Sequence, residues 1–176
     1  RTPGVVVHRR DVPVDGYTTS LARAAADCTR CLEPVPALVV VESALRAGVT
    51  TDDVLAQLTG RGSGAGRRLV QRADPRSGSG GETVARVALT DAGLEVASQV
   101  VIAGVGRVDL LVEGRLVVEV DGYAYHSDYQ QFSLDRRRDA ALLGLGMLVV
   151  RFTWKDVVRD PQGVVATVKR ILGVWA

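Results

Sequence analysis

Three acidic side chains in two neighbouring apolar runs have the types and spacing to do chemistry. In Leu116-Val117-Val118-Glu119-Val120-Asp121, strand alternation puts Glu119 and Asp121 on one face and Val118 and Val120 on the other. Asp109 lies in the preceding run, Arg107-Val108-Asp109-Leu110-Leu111-Val112. If the intervening loop has three residues (Glu113, Gly114, Arg115), Val112 pairs with Leu116 and Asp109 falls opposite Glu119 on a shared face. Their Cβ atoms would then be roughly 4.5–5.5 Å apart. A two-residue loop would put them on opposite faces. Carboxylates so close repel, and a purely structural strand pair avoids them. They suit a hard cation with oxygen ligands, Mg²⁺ above all, which bridged to phosphate polarises the phosphoryl oxygen and activates water. The competing reading is that Glu119 and Asp121 end an exposed strand and pair with arginines.

Other residues carry two readings as well. Glu82 stands three residues after Ser79, so it either closes a capping box or adds a further acid to the set. His126 is an ordinary loop histidine or a proton carrier. Arg136-Arg137-Arg138, flanked by Asp135 and Asp139, makes helix-surface salt bridges or phosphate contacts, and Arg67-Arg68 poses the same choice. The run Gly60–Gly66 lacks both a preceding strand and the Gly-Lys-Ser/Thr ending of a nucleotide loop. Cys28 and Cys31 form a lone CxxC inside an Ala-rich helical stretch. A redox pair belongs at a helix N-terminus and structural zinc needs four ligands, so both are expected as small buried helix residues.

The elements that must position these residues follow from periodicity and punctuation. A short strand is expected at 5–9. Helices follow from Thr19 or Ser20 to about Leu32, over 37–47, over 52–58 behind Thr51, and over 67–72. Asp74-Pro75-Arg76-Ser77-Gly78-Ser79-Gly80-Gly81 reads as a linker. It divides a helical connector, 1–75, with its short N-terminal strand, from a second domain, 76–176. Beyond it come a helix over 82–92, strands over 97–102, 107–112 and 116–121, a helix over 130–143, a strand over 147–152, and a helix after Asp160-Pro161. The order α-β-β-β-α-β-α predicts an α/β fold in the α+β sense, a mixed sheet with helices on its faces.

Composition narrows the class further. The 176 residues are 47% hydrophobic with a net charge of +2, which excludes disorder. The longest apolar runs, 37–41 and 145–150, are too short to span a bilayer, and no membrane association is expected. Basic and acidic side chains number 11 and 8 over residues 1–76, and 11 and 12 over 77–176. Neither half has the footprint of a strong non-specific DNA binder, so nucleic-acid contact must come from local clusters. No secretory signal is visible and the cysteine usage fits a reducing compartment, so a cytoplasmic location is expected. The start at Arg1 reads as a piece cut from a longer protein.

Residues 82–158 resemble the PD-(D/E)XK, restriction-endonuclease-like superfamily, most of all its branch near the very short patch repair endonuclease. The resemblance is carried by Glu82, Arg107-Val108-Asp109, Glu119-Val120-Asp121-Gly122, Tyr123-Ala124-Tyr125-His126, Asp135-Arg136-Arg137-Arg138-Asp139 and Val150-Arg151-Phe152-Thr153-Trp154. It implies the αβββαβ core of that superfamily. It also implies Asp109 and Glu119 as ligands of Mg²⁺ or Mn²⁺, with Glu82 completing the acidic set. The superfamily's lysine, two residues after the strand glutamate, is Asp121 here. That lysine would orient the attacking water and offset developing charge. Asp121 itself, His126 or Arg138 are the candidates to replace it.

The same resemblance makes DNA the expected partner, and among the basic side chains Arg136, Arg138, Arg151 and Lys155 are the set expected to face its phosphates. Further upstream, Val7-His8-Arg9-Arg10, Ala26-Asp27-Cys28 and Glu42-Ser43-Ala44-Leu45-Arg46 resemble bacterial antitoxins of the abortive-infection type IV class. Those carry a winged-helix segment that this chain lacks. Three functions stay open: a metal-dependent phosphodiesterase acting on DNA, a catalytically silent nuclease fold that binds nucleic acid or protein, and a regulatory partner in a toxin–antitoxin pair. A homodimer is compatible with each.

Overall fold

Capping chemistry sets the helices of the first part of the chain. The computed structural model describes residues 18–122 and 129–174, so the strand expected at 5–9 and His126 lie outside the described residues. Helix α1, Leu21–Cys31, begins where the Ser20 hydroxyl accepts the Arg23 N–H. Helix α2, Pro34–Arg46, starts earlier than expected. Pro34 occupies the first turn, where a missing N–H goes unnoticed, so the Pro-rich stretch opens the helix as well as breaking the chain. Helix α3, Thr51–Gln57, is capped by Thr50 and not Thr51: Thr50 and Asp53 exchange a reciprocal capping box. Helix α4, Ser63–Gln71, enters from Gly62 at φ 81°, so part of the glycine run is helical. Arg67 Nε donates to the Leu58 carbonyl, a local structural bond that accounts for this arginine.

These four helices close around Ala25, Ala26, Val41, Val54, Leu58 and Val70. The CxxC lies outside that core. Cys28 is half-buried and Cys31 exposed, which corrects the expectation that both are buried.

The remaining elements are α5 (Gly80–Asp91), β1 (Val96–Ile102), β2 (Gly106–Val112), β3 (Leu116–Asp121), α6 (Tyr129–Gly144), β4 (Leu148–Thr153), α7 (Trp154–Arg159) and α8 (Pro161–Val174). The mixed α/β order is the one expected, with α7 added. Its start is fixed by a second capping box, Thr153 with Asp156, that the sequence reading passed over. The sheet order is β1-β2-β3-β4; β1–β2 and β2–β3 are antiparallel and β3–β4 parallel across the α6 crossover. One face packs Leu110, Leu116 and Val118 against Ala85 and Leu89 of α5, Val157 of α7 and Val168 of α8. The other packs Val108 and Val117 against Leu142 of α6. Each such leucine stabilises the fold by about 1.5–3 kcal/mol relative to leaving it in water. Among the described residues no helix is long and apolar enough to cross a membrane.

Helix α5 joins the two cores. Its sheet-facing side belongs to the second, while Glu42 of α2, wholly buried, reaches it from the first. The Glu42 carboxylate accepts hydrogen bonds from Asp74 N (2.9 Å), Thr83 Oγ1 (2.5 Å) and Arg86 Nη2 (2.5 Å). Removing one member strands the rest without water. Glu42→Ala should therefore lower the unfolding free energy by about 3–5 kcal/mol in urea denaturation. Arg86→Ala should act in the same direction, and the double variant should lose less than the sum of the two.

Candidate functional site

The β2–β3 hairpin begins as expected and then forks. Leu116, Val117 and Val118 pair with Val112, Leu111 and Leu110 across a three-residue loop, turned by positive φ at Glu113 (50°) and Gly114 (65°). Continued by one step, the ladder would set Asp109 opposite Glu119. Instead, Val120 N–H donates to Asp109 Oδ2 at 3.0 Å, so a side-chain carboxylate replaces the backbone acceptor. Alternation breaks at the same place. Leu110 joins the core under α5, whereas Val108, two residues away, joins the core under α6.

Asp109 and Glu119 therefore take different partners: Asp109 fills the fork, where its carboxylate meets Val120 N–H and Gln99, while Glu119 is held by arginines of α6 and β4. The two carboxylates still feel one another, since the Asp109 charge is among those that raise the Glu119 carboxyl.

On β1, the residue facing the break is Gln99, with φ 53°. Its Nε2 donates to Glu82 Oε2 at 2.7 Å and, more loosely, to Asp109 Oδ1 at 3.4 Å. Glu82 is buried, and its Oε2 also accepts the Gly78 N–H at 2.7 Å. Ser79 caps α5 by accepting the Glu82 N–H, but the reciprocal arm of the expected box goes to Gly78. Glu82, Asp109 and Asp121 line one cleft of about 450 Å³ with Gly81, Gly122 and Trp154. Glycine is required at 81, since a Cβ there would lie 2.8 Å from Val120 and 3.0 Å from the Trp154 ring. The helix N-terminus can approach the strand this closely only without a side chain.

Glu119 has other company. Arg138 of α6 meets its Oε1 at 2.8 Å and Arg151 of β4 its Oε2 at 3.0 Å. Arg151 also holds Asp139, at 2.5 and 3.1 Å, and Arg138 donates to the Arg107 carbonyl. Burial pushes the Glu119 carboxyl above its ordinary range, the two guanidiniums offset this only in part, and the nearby Asp109 charge adds to the rise. The hydrogen bonds from Arg151 hold Asp139 below the usual carboxylate range. Arg138 and Arg151, expected on a phosphate-facing surface, are thus engaged with carboxylates. Arg136 and Lys155 are exposed on α6 and α7.

The acidic set can be tested against a cation by its donors. Among the described residues, no three acidic, histidine or cysteine side chains converge as an all-protein metal cage needs. Two do converge: Glu82 and Asp109 share the positive end of one amide dipole, where a cation would satisfy both. Mg²⁺ commonly takes one or two carboxylates and fills its sphere with water and substrate oxygens. Glu82 and Asp109 fit such an ion, whereas Glu119 in this placement does not contribute. Gln99 escaped the sequence reading, although Ser98-Gln99, two consecutive polar residues inside Val96–Ile102, break strand alternation and were the available signal.

Comparison with known proteins bears on the same region. A family model described as REase_MTES_1575 matches residues 82–172. Two similar curated proteins come from Mycobacterium tuberculosis: "Uncharacterized protein MT2308" of strain CDC 1551 / Oshkosh and "Uncharacterized protein Rv2248" of strain ATCC 25618 / H37Rv. Each is 32% identical over 187 residues, covering 97% of this chain and 69% of the relative. No solved structure matches.

The Glu119 network predicts a titration. Arg138→Met or Arg151→Met removes a cation from a carboxyl whose pKa is already raised, so carboxyl-carbon NMR should show it rising further. A raised acid favours the protonated folded state. The stability lost by either variant should therefore be largest at neutral pH and shrink as pH falls through the carboxylate range.

Proposed function

The chain belongs to the REase_MTES_1575 family, a restriction-endonuclease-like family, and from that premise we propose that its nuclease-like domain is a metal-dependent endonuclease hydrolysing phosphodiester bonds in DNA. The observation that carries this reading is the convergence of Glu82 and Asp109 on one donor in a cleft shared with Asp121. Glu82 and Asp109 would hold Mg²⁺ or Mn²⁺. When bound, such a cation supplies charge stabilisation at the phosphoryl oxygen and a lowered pKa for water.

The chain's own residues supply the rest. Arg138 and Arg151 exchange Glu119 for phosphate oxygens as DNA arrives, and the released carboxylate joins the acidic set. Asp121 accepts the proton of the attacking water, in the position where the resembled superfamily carries lysine. Trp154 and Gly81 wall the cleft.

A second reading is favoured by one observation, the capture of both Glu119 oxygens by arginines. Under it the domain is a catalytically silent nuclease fold that binds nucleic acid or a protein partner.

Calorimetry with Mg²⁺ or Mn²⁺, followed by cleavage assays on DNA and RNA, separates the two. Glu82→Gln and Asp109→Asn keep shape but remove charge, and should abolish metal binding and cleavage together. Glu119→Gln should leave metal binding without DNA intact and abolish cleavage. Asp121→Asn should slow cleavage by about 10²–10⁴-fold, as loss of a general base does. If Asp121→Lys instead raises activity, Asp121 is a vestige and not the base. A change under about threefold in His126→Ala excludes His126 from that role. Absence of both metal binding and cleavage overturns the endonuclease reading in favour of the silent module.

DNA binding has its own signature. Affinity for duplex DNA should fall with log salt at a slope near 0.9 per phosphate neutralised, and alanine at Arg136, Arg138, Arg151 or Lys155 should flatten it by about one contact each. Salt-independent binding would remove DNA as the partner.

A further inference from the structure

Gln99 is placed and conformed for more than packing. It holds φ at 53°, a left-handed conformation that costs a non-glycine residue roughly 1–3 kcal/mol and persists where surrounding structure imposes it. That backbone delivers the carboxamide between two carboxylates from different elements, Glu82 of α5 and Asp109 of β2. Glycine at 78 leaves the room that the amide and the Glu82 carboxylate share: a Cβ there would lie 3.1 Å from the amide nitrogen and 2.9 Å from Glu82 Oε1. The amide can rotate about its last torsion, which is broad and nearly two-fold, exchanging nitrogen for oxygen at almost unchanged volume.

Resting on the metal reading above, we infer that Gln99 is a third ligand of the cation site. In the metal-free protein its N–H groups hold Glu82 and Asp109 together against their mutual repulsion. With a divalent cation held by Glu82 and Asp109, the amide turned over would present Oε1, an oxygen donor of the kind a hard cation takes. A lysine or arginine at this point would hold the carboxylates more firmly, but its charge would exclude the cation. A neutral amide can serve both states, which accounts for a glutamine at the meeting point of two acids.

The test uses the whole chain with Mn²⁺ as probe, read by calorimetry and by thermal melts with and without the ion. Gln99→Met keeps length without polar atoms, and Gln99→Glu keeps length with oxygens alone. Neither adds a branch at Cβ, so both share the backbone cost of the wild type. Gln99→Met should weaken Mn²⁺ binding by about tenfold or more, the scale on which residues that orient or complete a metal site act. Gln99→Glu should lower the metal-free melting temperature through added repulsion, yet bind Mn²⁺ at least as tightly as wild type and gain a larger shift on binding.

If Gln99 only packs the fork, both variants will melt lower and keep wild-type Mn²⁺ affinity, and the inference fails while the Glu82–Asp109 reading stands. If the wild-type protein binds no Mn²⁺, both fail together. Should Gln99→Met not fold, the opposite movements of stability and affinity in Gln99→Glu decide alone.

Discussion

One hydrogen bond organises the site, that from Val120 N–H to the Asp109 carboxylate. A sheet normally satisfies every interior N–H from a neighbouring backbone carbonyl, and an orphaned buried donor is expensive. By supplying the acceptor from a side chain, the protein parts β2 from β3 without leaving that donor unmet. The fork borders the cleft, coincides with the switch of Val108 to the core under α6, and gives Asp109 and Glu119 different hydrogen-bond partners. Gln99 on β1 meets the same disturbance with a left-handed backbone. The carboxylates have distinct surroundings because the ladder stops where it does.

Helix α5 is the second organiser. Its N-terminus delivers Glu82 to the fork, and Thr83 and Arg86 hold Glu42 in the interior. Helices α1 to α4 and the sheet thus meet on one element, and the buried Glu42 carboxylate of α2 is bonded to Thr83, the residue after Glu82.

Much of this was legible in the sequence, and the failures share a cause. The α-β-β-β-α-β-α order follows from periodicity and glycine punctuation, and the hairpin register follows from counting Glu113-Gly114-Arg115. The opening of α2 at Pro34, the true cap at Thr50 and the short helix after Thr153 were readable in principle, since each is a local rule. What was not legible is the partner of each polar side chain. Glu119 takes arginines from α6 and β4, Glu42 takes an arginine 44 positions away, and Glu82 of α5 and Asp109 of β2 meet through a residue on a third element, β1. Those meetings are set by tertiary packing. The fork itself contradicts the period-two rule on which the shared-face expectation rested, and a rule of regular strands cannot announce its own interruption.

The parallel pairing of β3 with β4 gives the molecule an uneven folding problem. Strands β1 to β3 are joined by tight hairpins, whose ends meet at small entropic expense, while β4 reaches β3 only after the chain has run through α6. Each doubling of a closing loop costs about 0.6 kcal/mol in chain entropy, so this long-range contact is the slower one to form. Both arginines that neutralise Glu119 lie beyond β3, on α6 and β4. Until that crossover docks, the glutamate keeps its hydration shell. Its desolvation and the arrival of its counter-charges therefore belong to one late event, and the buried charge is never asked to wait for its partners.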